Sequence, residues 1–314
     1  KDAMNMLVEK GYNEAVDILM YRRIKKYAES VKSIIDAMNK DGRIRPTVSL
    51  GKTNRINYKE PALMNIPKPL LWHIIAPRNA GNILFSVDIK QQEPWILCNM
   101  LGIEELKEIF RSGEDLYEAI FMRIFKRKCT KLERNEIKTS WNAMSYGASI
   151  HGIKKICRNI DAKEVYGYFN SLREFKDYKN KCFGLAKKNV QKVETYFGTE
   201  IYADEYGSRL QRVLMDIPIQ GTGADILALL IQHFDEEVED RSIENEMELY
   251  FTRHDELIIE VDMDYVEECG EQEVVDILSD IFEHQIDDWD NFMVHIERVE
   301  PAEIILGGNE FEDE

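Results

Sequence analysis

Two adjacent carboxylates, Asp255 and Glu256, lie in the stretch TRHDELIIEVD, residues 252–262. An apolar-rich run, ELYFT, precedes them and a β-branched run, LIIEV, follows, which predicts two strands joined by a tight turn. His254, Asp255 and Glu256 then sit at the hairpin tip. Paired carboxylates on a rigid hairpin suit Mg²⁺, which takes hard oxygen ligands and keeps water or phosphate oxygens in the rest of its shell. Taken alone, the same pair is also ordinary turn chemistry. Asp88 ends the apolar run NILFSVDI, residues 82–89, and a carboxylate at the end of a strand can be aimed into a cleft. A third stretch, ERNEIKTSWNAMSYG, residues 133–147, carries different chemistry. On a helix, Arg134, Lys138 and Asn142 fall at i, i+4 and i+8, with Tyr146 at i+12. Arg and Lys one turn apart can grip a polyphosphate from two sides, and the phenol further along could meet a base or sugar. The bland alternative for this stretch is an amphipathic surface helix.

The surrounding elements must bring these stretches together. Residues 1–40 read as helical, with Val16, Leu19, Met20, Ile24 and Tyr27 at helical spacing. Pro, Gly and Asn punctuate 41–69, which predicts loop and short strand; Arg55 stands there in a polar loop as a phosphate-binding candidate. The run 82–89 reads as a buried strand turning through Glu93 and Pro94 into a helix. Helices dominate 103–192, a small hairpin or turn is expected at 195–203, and 207–216 reads helical. Residues 217–234, IPIQGTGADILALLIQHF, open a strongly apolar, buried helix. After the hairpin come a helix at about 265–286, a strand at 292–299 and a frayed acidic tail at 309–314.

The 314 residues suffice for a large core and two or three lobes. No apolar run approaches the roughly 18 residues that would suggest a membrane span, and no signal segment is visible, so a cytoplasmic location and no membrane partner are expected. Five scattered cysteines offer neither zinc spacing nor a disulfide framework. The net charge of −17 argues at first sight against nucleic acid. Its distribution does not: residues 121–192 hold 18 Lys/Arg and 6 Asp/Glu, net +12, whereas 233–314 hold 3 Arg and 30 Asp/Glu, net −27. One region can attract phosphates while the other repels them or holds metal.

Asp88 at a strand end, Arg134-x3-Lys138-x7-Tyr146-Gly147 on a helix and His254-Asp255-Glu256 in a hairpin, in this order, resemble the three polymerase motifs of family A DNA polymerases, the bacterial DNA polymerase I type. Thr53-Asn54-Arg55, Pro61-x3-Asn65-Ile66-Pro67, Val193-Glu194-Thr195 and Ile219-Gln220-Gly221-Thr222 resemble further segments of that family. The similarity runs from about Ala15 to the C-terminus. It implies an α+β right-hand fold, an antiparallel palm sheet with helical fingers. Residues 1–40 would be a helical remnant of the thumb base, 41–93 and 207–314 the palm, and 94–206 the fingers. Asp88 and Asp255 would hold two Mg²⁺ ions, for which Mn²⁺ can substitute, with the Ile89 backbone carbonyl as a further ligand and Glu256 assisting. Arg134 and Lys138 would bind the dNTP triphosphate, Lys138 also serving as an acid toward the leaving group. Asn142, Tyr146, Gln91, Ile89 and Glu93 would line the nucleotide site, Glu93 blocking a ribose 2′-hydroxyl. Arg55, Asn65, Arg212, Gln220 and His254 would contact primer-template DNA.

The sequence departs from that pattern in places. Asn142 stands where the family carries Phe or Tyr, and the nearest aromatic, Trp141, points about 100° away on a straight helix. Pro94 and Trp95 replace the usual Leu and Arg, and Gly198-Thr199-Glu200 lacks the arginines often found after that glycine. The resemblance starts near the thumb base, which implies either a thumbless fragment of a longer protein or a reduced polymerase, with an N-terminal region or an accessory protein as a candidate supplier of thumb and proofreading. The expected partners are primer-template DNA and dNTPs, in a bacterial cell or a virus-infected host. Two other readings stay open: a single-subunit RNA polymerase, and a polymerase-fold module that binds DNA or organises an assembly without catalysis.

Overall fold

The computed structural model describes residue 7, residues 12–283, residues 286 and 289, and residues 292–300. The expected tail at 309–314 and most of residues 1–11 lie outside them. In chain order the elements begin with α1 (Asn13–Ala37), β1 (Thr47–Leu50), β2 (Ile56–Lys59), a 3-10 turn at Leu63–Asn65, α2 (Lys68–Ile74) and β3 (Ile83–Ile89). A helical layer follows: α3 (Gln92–Leu101), α4 (Glu104–Arg111), α5 (Leu116–Phe125), α6 (Lys131–Ser145), α7 (Ile150–Ile156), α8 (Ala162–Ser171) and α9 (Arg173–Lys187). Then come the small hairpin β4 (Lys192–Glu194) and β5 (Glu200–Tyr202), the long α10 (Gly207–Asp240), β6 (Met247–Arg253) and β7 (Glu256–Val261). The last elements are α11 (Met263–Cys269), α12 (Glu271–Phe282) and β8 (Val294–Arg298).

The organising layer is an antiparallel sheet of order β6-β7-β3-β8. Its two faces follow from strict alternation along each strand. Phe85, Val87 and Ile89 of β3 and Leu257, Ile259 and Val261 of β7 face the main core, shared with the helices. Leu84 and Ile258 face the other way, into a smaller core with Ile34, Leu63, Ile66, Leu71 and Trp72. β3 therefore lies buried on both faces until its end, where Asp88 is only half-buried.

Several elements differ from the sequence reading. The segment 207–234 is part of one 34-residue helix, α10, despite Pro218 inside it. Proline removes the hydrogen bond that would reach the Leu214 carbonyl. Cys182 Sγ donates to that carbonyl at 3.5 Å instead, and Tyr178 Oη donates to the next one, Met215, at 2.8 Å. Against the expectation of no such run, the stretch Arg209–Asp240 is long and apolar enough by composition to cross a membrane. Here it packs as a core helix, with Leu214, Ile219, Ile226, Leu230 and Phe234 buried in the main core. The expected helix at 265–286 is two helices, α11 and α12, broken at Gly270. Gly270 takes φ +91°, a backbone conformation open to glycine and strained for other residues.

Candidate active site

Two sharp turns build the site. β6 and β7 pair in register to Arg253↔Glu256, so the hairpin turn consists of His254 and Asp255. His254 takes φ +56° there, the left-handed region that short turns demand. On the neighbouring strand, Asp88 stands directly opposite Glu256. The strand β3 then turns into α3 through Lys90 and Gln91, with Gln91 at φ +53°. This places Glu93 in the first turn of α3, where a carboxylate suits the positive helix end. Pro94 is tolerated in the same turn because the amide it lacks would be unpaired in any case.

Asp88 and Asp255, 167 positions apart in the chain, meet at this rim. Burial first, then the charges of Asp255 and Glu256, push the Asp88 carboxyl up to about 7. Burial also raises Asp255. Two desolvated carboxyls, one raised further by the charge of the other, form an electrostatic well for a hard cation. Among the described residues no group of three or more His, Cys, Asp or Glu side chains is gathered as a metal site. The two aspartates are thus a partial donor set of the kind Mg²⁺ completes with water and phosphate oxygens. Ile89 is buried in the main core, which leaves only its backbone to serve the rim. Glu256, expected at the hairpin tip to assist the metal site, lies instead at the start of the strand. It is the first residue of β7 and 3 % exposed. Lys68 Nζ lies 2.8 Å from its Oε1, Ser86 Oγ donates to the same oxygen, and Arg253 Nη1 lies 3.6 Å from Oε2.

A second cluster gathers around Glu93. Tyr146 Oη donates to Glu93 Oε2 at 2.7 Å, Gln220 Nε2 donates to Oε1, and Arg55 Nη2 lies 3.5 Å from Oε1. Gln220 also donates to Tyr146 Oη at 3.1 Å. Four residues predicted for nucleotide or DNA contact are therefore one hydrogen-bonded unit. Burial first, then Glu93, holds the Tyr146 phenol above its ordinary range. Asp216, one helical turn before Gln220 on α10, belongs beside this unit and was missed in the sequence. Burial first and then Glu93 push its carboxyl up to about 6, while Arg55 opposes them. The signal was an acidic residue at i−4 to Gln220, flanked by the apolar residues Leu214, Met215, Ile217 and Ile219.

A third cluster lies in the helical layer. Thr130 and Glu133 close a capping box that starts α6, which fixes the phase of Arg134, Lys138 and Asn142 along that helix. Arg134 is occupied: Nη2 and Nε contact Asp115 Oδ2 and Oδ1 at 2.5 and 3.1 Å, and the guanidinium lies 5.3 Å over the Tyr117 ring. Gln91 Nε2 donates to the same Asp115 at 3.2 Å. Asp115, also missed, caps α5; its Asp-x-x-Glu spacing to Glu118 is the readable sign. Lys138 is exposed one turn beyond Arg134, and Asn142 is half-buried. Trp141 cannot replace an aromatic at 142, since it is buried against Phe169 at 5.4 Å. Asn65, Arg212 and His254 are exposed, and no contact joins them to the Glu93 cluster among those described.

A family model described as DNA polymerase family A matches residues 1–287. The chain belongs to the family A DNA polymerases. Among relatives of this family A domain, DNA polymerase I of Mycobacterium tuberculosis (strain ATCC 25618 / H37Rv) is 26% identical over 281 residues, covering 83% of this chain and 31% of that protein. DNA polymerase I of Lactococcus lactis subsp. lactis (strain IL1403) is 28% identical over 294 residues, covering 82% and 33%. The chain thus spans about a third of the length of these curated relatives. The fold of the polymerase domain of Pol1 from M. smegmatis, solved in complex with DNA primer-template and dNTP, matches with a TM-score of 0.78 at 24% identity. That match covers 95% of this chain and 55% of the other, so the right-hand polymerase fold with its antiparallel sheet is that of this chain.

Proposed function

We propose that this chain is the catalytic part of a template-directed DNA polymerase, adding dNTPs to a primer 3′-hydroxyl by two-metal-ion phosphoryl transfer. The observation that carries the reading is the meeting of Asp88 and Asp255 at one sheet rim in a chain of this family. Primer-template DNA and dNTP are the ligands named for the similar M. smegmatis domain, and we assign the same ligand classes here. In this reading residues 41–93 and 207–314 form the palm, 94–206 the fingers, and 1–40 the base of the thumb.

Asp88 and Asp255 hold the divalent cations, with the Ile89 carbonyl at their side. When bound, the cations lower the barrier to attack by the primer hydroxyl and neutralise the leaving pyrophosphate. Lys138, exposed on α6, meets the triphosphate and donates a proton toward the leaving group. Arg134 supplies a bidentate grip on phosphate once Asp115 yields it. Glu93, held by Tyr146, Gln220 and Arg55, fills the space a ribose 2′-hydroxyl would need and so favours dNTPs over rNTPs. Arg55, Asn65, Arg212, Gln220 and His254 engage primer and template.

The test is extension of a short DNA primer-template at low salt with Mg²⁺, wild type beside Asp255→Ala. Extension by wild type and its loss by at least about 10³-fold in the variant, the scale of several kcal/mol of transition-state stabilisation, is the expected result. Equal extension by both proteins overturns the metal assignment. DNA binding without extension by either protein overturns the catalytic reading in favour of a non-enzymatic platform.

A further inference from the structure

Lys68 is absent from the motifs and yet reaches the centre of the site. Residues directly opposite on paired strands share a sheet face. Asp88 is opposite Glu256, and Ser86 is opposite Glu297, so three carboxylates crowd one face at the end of β3. Lys68, the first residue of α2, lies over them. Its Nζ is 2.8 Å from Glu256 Oε1 and 3.4 Å from Glu297 Oε1, and it sits 5.2 Å over the Trp72 ring. A cation at a helix N-terminus has the wrong sign for the helix dipole, so the carboxylates, not α2, account for its placement. With Ser86 on the same Glu256 oxygen and Arg253 near the other, Glu256 is engaged from within the protein on both oxygens.

We propose that Lys68 is a positioning residue that pins Glu256 to the sheet face, withholding that carboxylate from the bound cation and reserving Asp88 and Asp255 for it. Glu256 follows Asp255 in the chain and stands opposite Asp88, so once released it can reach the same cation. A third carboxylate would bind the ion more tightly and take a position that substrate phosphate or water must occupy. Lys68 thereby trades affinity for an open coordination shell. The inference rests on the polymerase reading for its rate prediction alone; its binding prediction stands without it.

The experiment is Mn²⁺ titration of the DNA-free chain, read by the EPR signal of the free ion, for wild type, Lys68→Met, Glu256→Gln and the double variant. Lys68→Met is expected to tighten Mn²⁺ binding about tenfold, equal to ~1.4 kcal/mol. The double variant is expected to match Glu256→Gln within about twofold, since coupling through one contact vanishes when the contact partner is gone. In primer extension, Lys68→Met lowers kcat and the half-saturating Mg²⁺ concentration together, and Lys68→Arg restores both. An unchanged Mn²⁺ affinity in Lys68→Met overturns the proposal. So does an equal tightening with and without Glu256, which would mean a general charge effect. If Lys68→Met does not fold by circular dichroism, Lys68→Gln carries the same prediction. Absence of Mn²⁺ binding by wild type overturns this inference and the polymerase metal site together, whereas an intact cycle without primer extension overturns only the catalytic reading.

Discussion

At the scale of single residues, the site is a set of charges already spoken for. Arg134 is held by Asp115 in two contacts, and Asp115 is also bound by Gln91. In the proposed polymerase, an incoming triphosphate would therefore have to replace a carboxylate at Arg134. Asp115→Asn weakens that competitor, and we expect KM for dNTP to fall about threefold to tenfold, on the scale of one charge-assisted hydrogen bond. A rise in KM would show that Asp115 orients Arg134 for substrate rather than competing for it. Glu93→Ala is expected to raise rNTP incorporation relative to dNTP; an unchanged ratio sinks its role as the sugar filter. Asp216 gives a pH prediction. Its carboxyl is raised to about 6 from an ordinary 3.8, so between those values the folded chain holds more protons than the unfolded one. Stability should then decline as pH rises from about 4 to 6 and level off above, by at most about 2 kcal/mol after solvent screening. Tm measured against pH checks this: Asp216→Asn should flatten that part of the profile, and an unchanged slope would place the titration elsewhere. The placement of Asp88 near a strand end, Asp255 in a turn and Arg134 on a helix was legible because strand ends, turns and helical spacing are local. Asp115 and Asp216 left only faint local signs, and Lys68 none, since their meaning comes from the partners that the fold brings to them.

At the scale of elements, local pattern gave the strands and most helices, and packing decided the rest. The break at Gly270 and the continuity of α10 through Pro218 both ran against the simplest reading. Pro218 is accommodated because side chains of α9 take up the carbonyls at the bend. The segment IQGT has a packing reason as well. A Cβ on Gly221 would lie 2.6 Å from Ile201 Cδ1 and 2.7 Å from Thr195 Cγ2, so only glycine lets the β4–β5 hairpin lie against α10. Asp225 ties the same contact, accepting from Thr195 Oγ1 at 2.5 Å and Thr199 Oγ1 at 3.0 Å. Gly221→Ala is expected to destabilise the chain by about 1–3 kcal/mol, as overpacking does. Chemical denaturation reads the change, and a loss below about 0.5 kcal/mol would mean that the hairpin is loosely seated.

At the scale of the whole molecule, unlike charge is kept in unlike stretches of the chain. Residues 121–192, net +12, run from α5 to β4, whereas 233–314, net −27, include β6, β7, α11 and α12. Phosphate contacts release counterions, so primer-template affinity should fall steeply with salt; a titration from 50 to 200 mM salt that leaves Kd unchanged would argue against phosphate-led binding. The same separation has a kinetic meaning. A chain charged this unevenly behaves as a dipole in the field of a polyanion. If primer-template DNA is its ligand, as proposed, it would turn before it touches: collisions led by the acidic stretch would be turned away and those led by the basic helices drawn in. Orientation on the nucleic acid would thus be selected during approach, by a field that reaches further than any side chain.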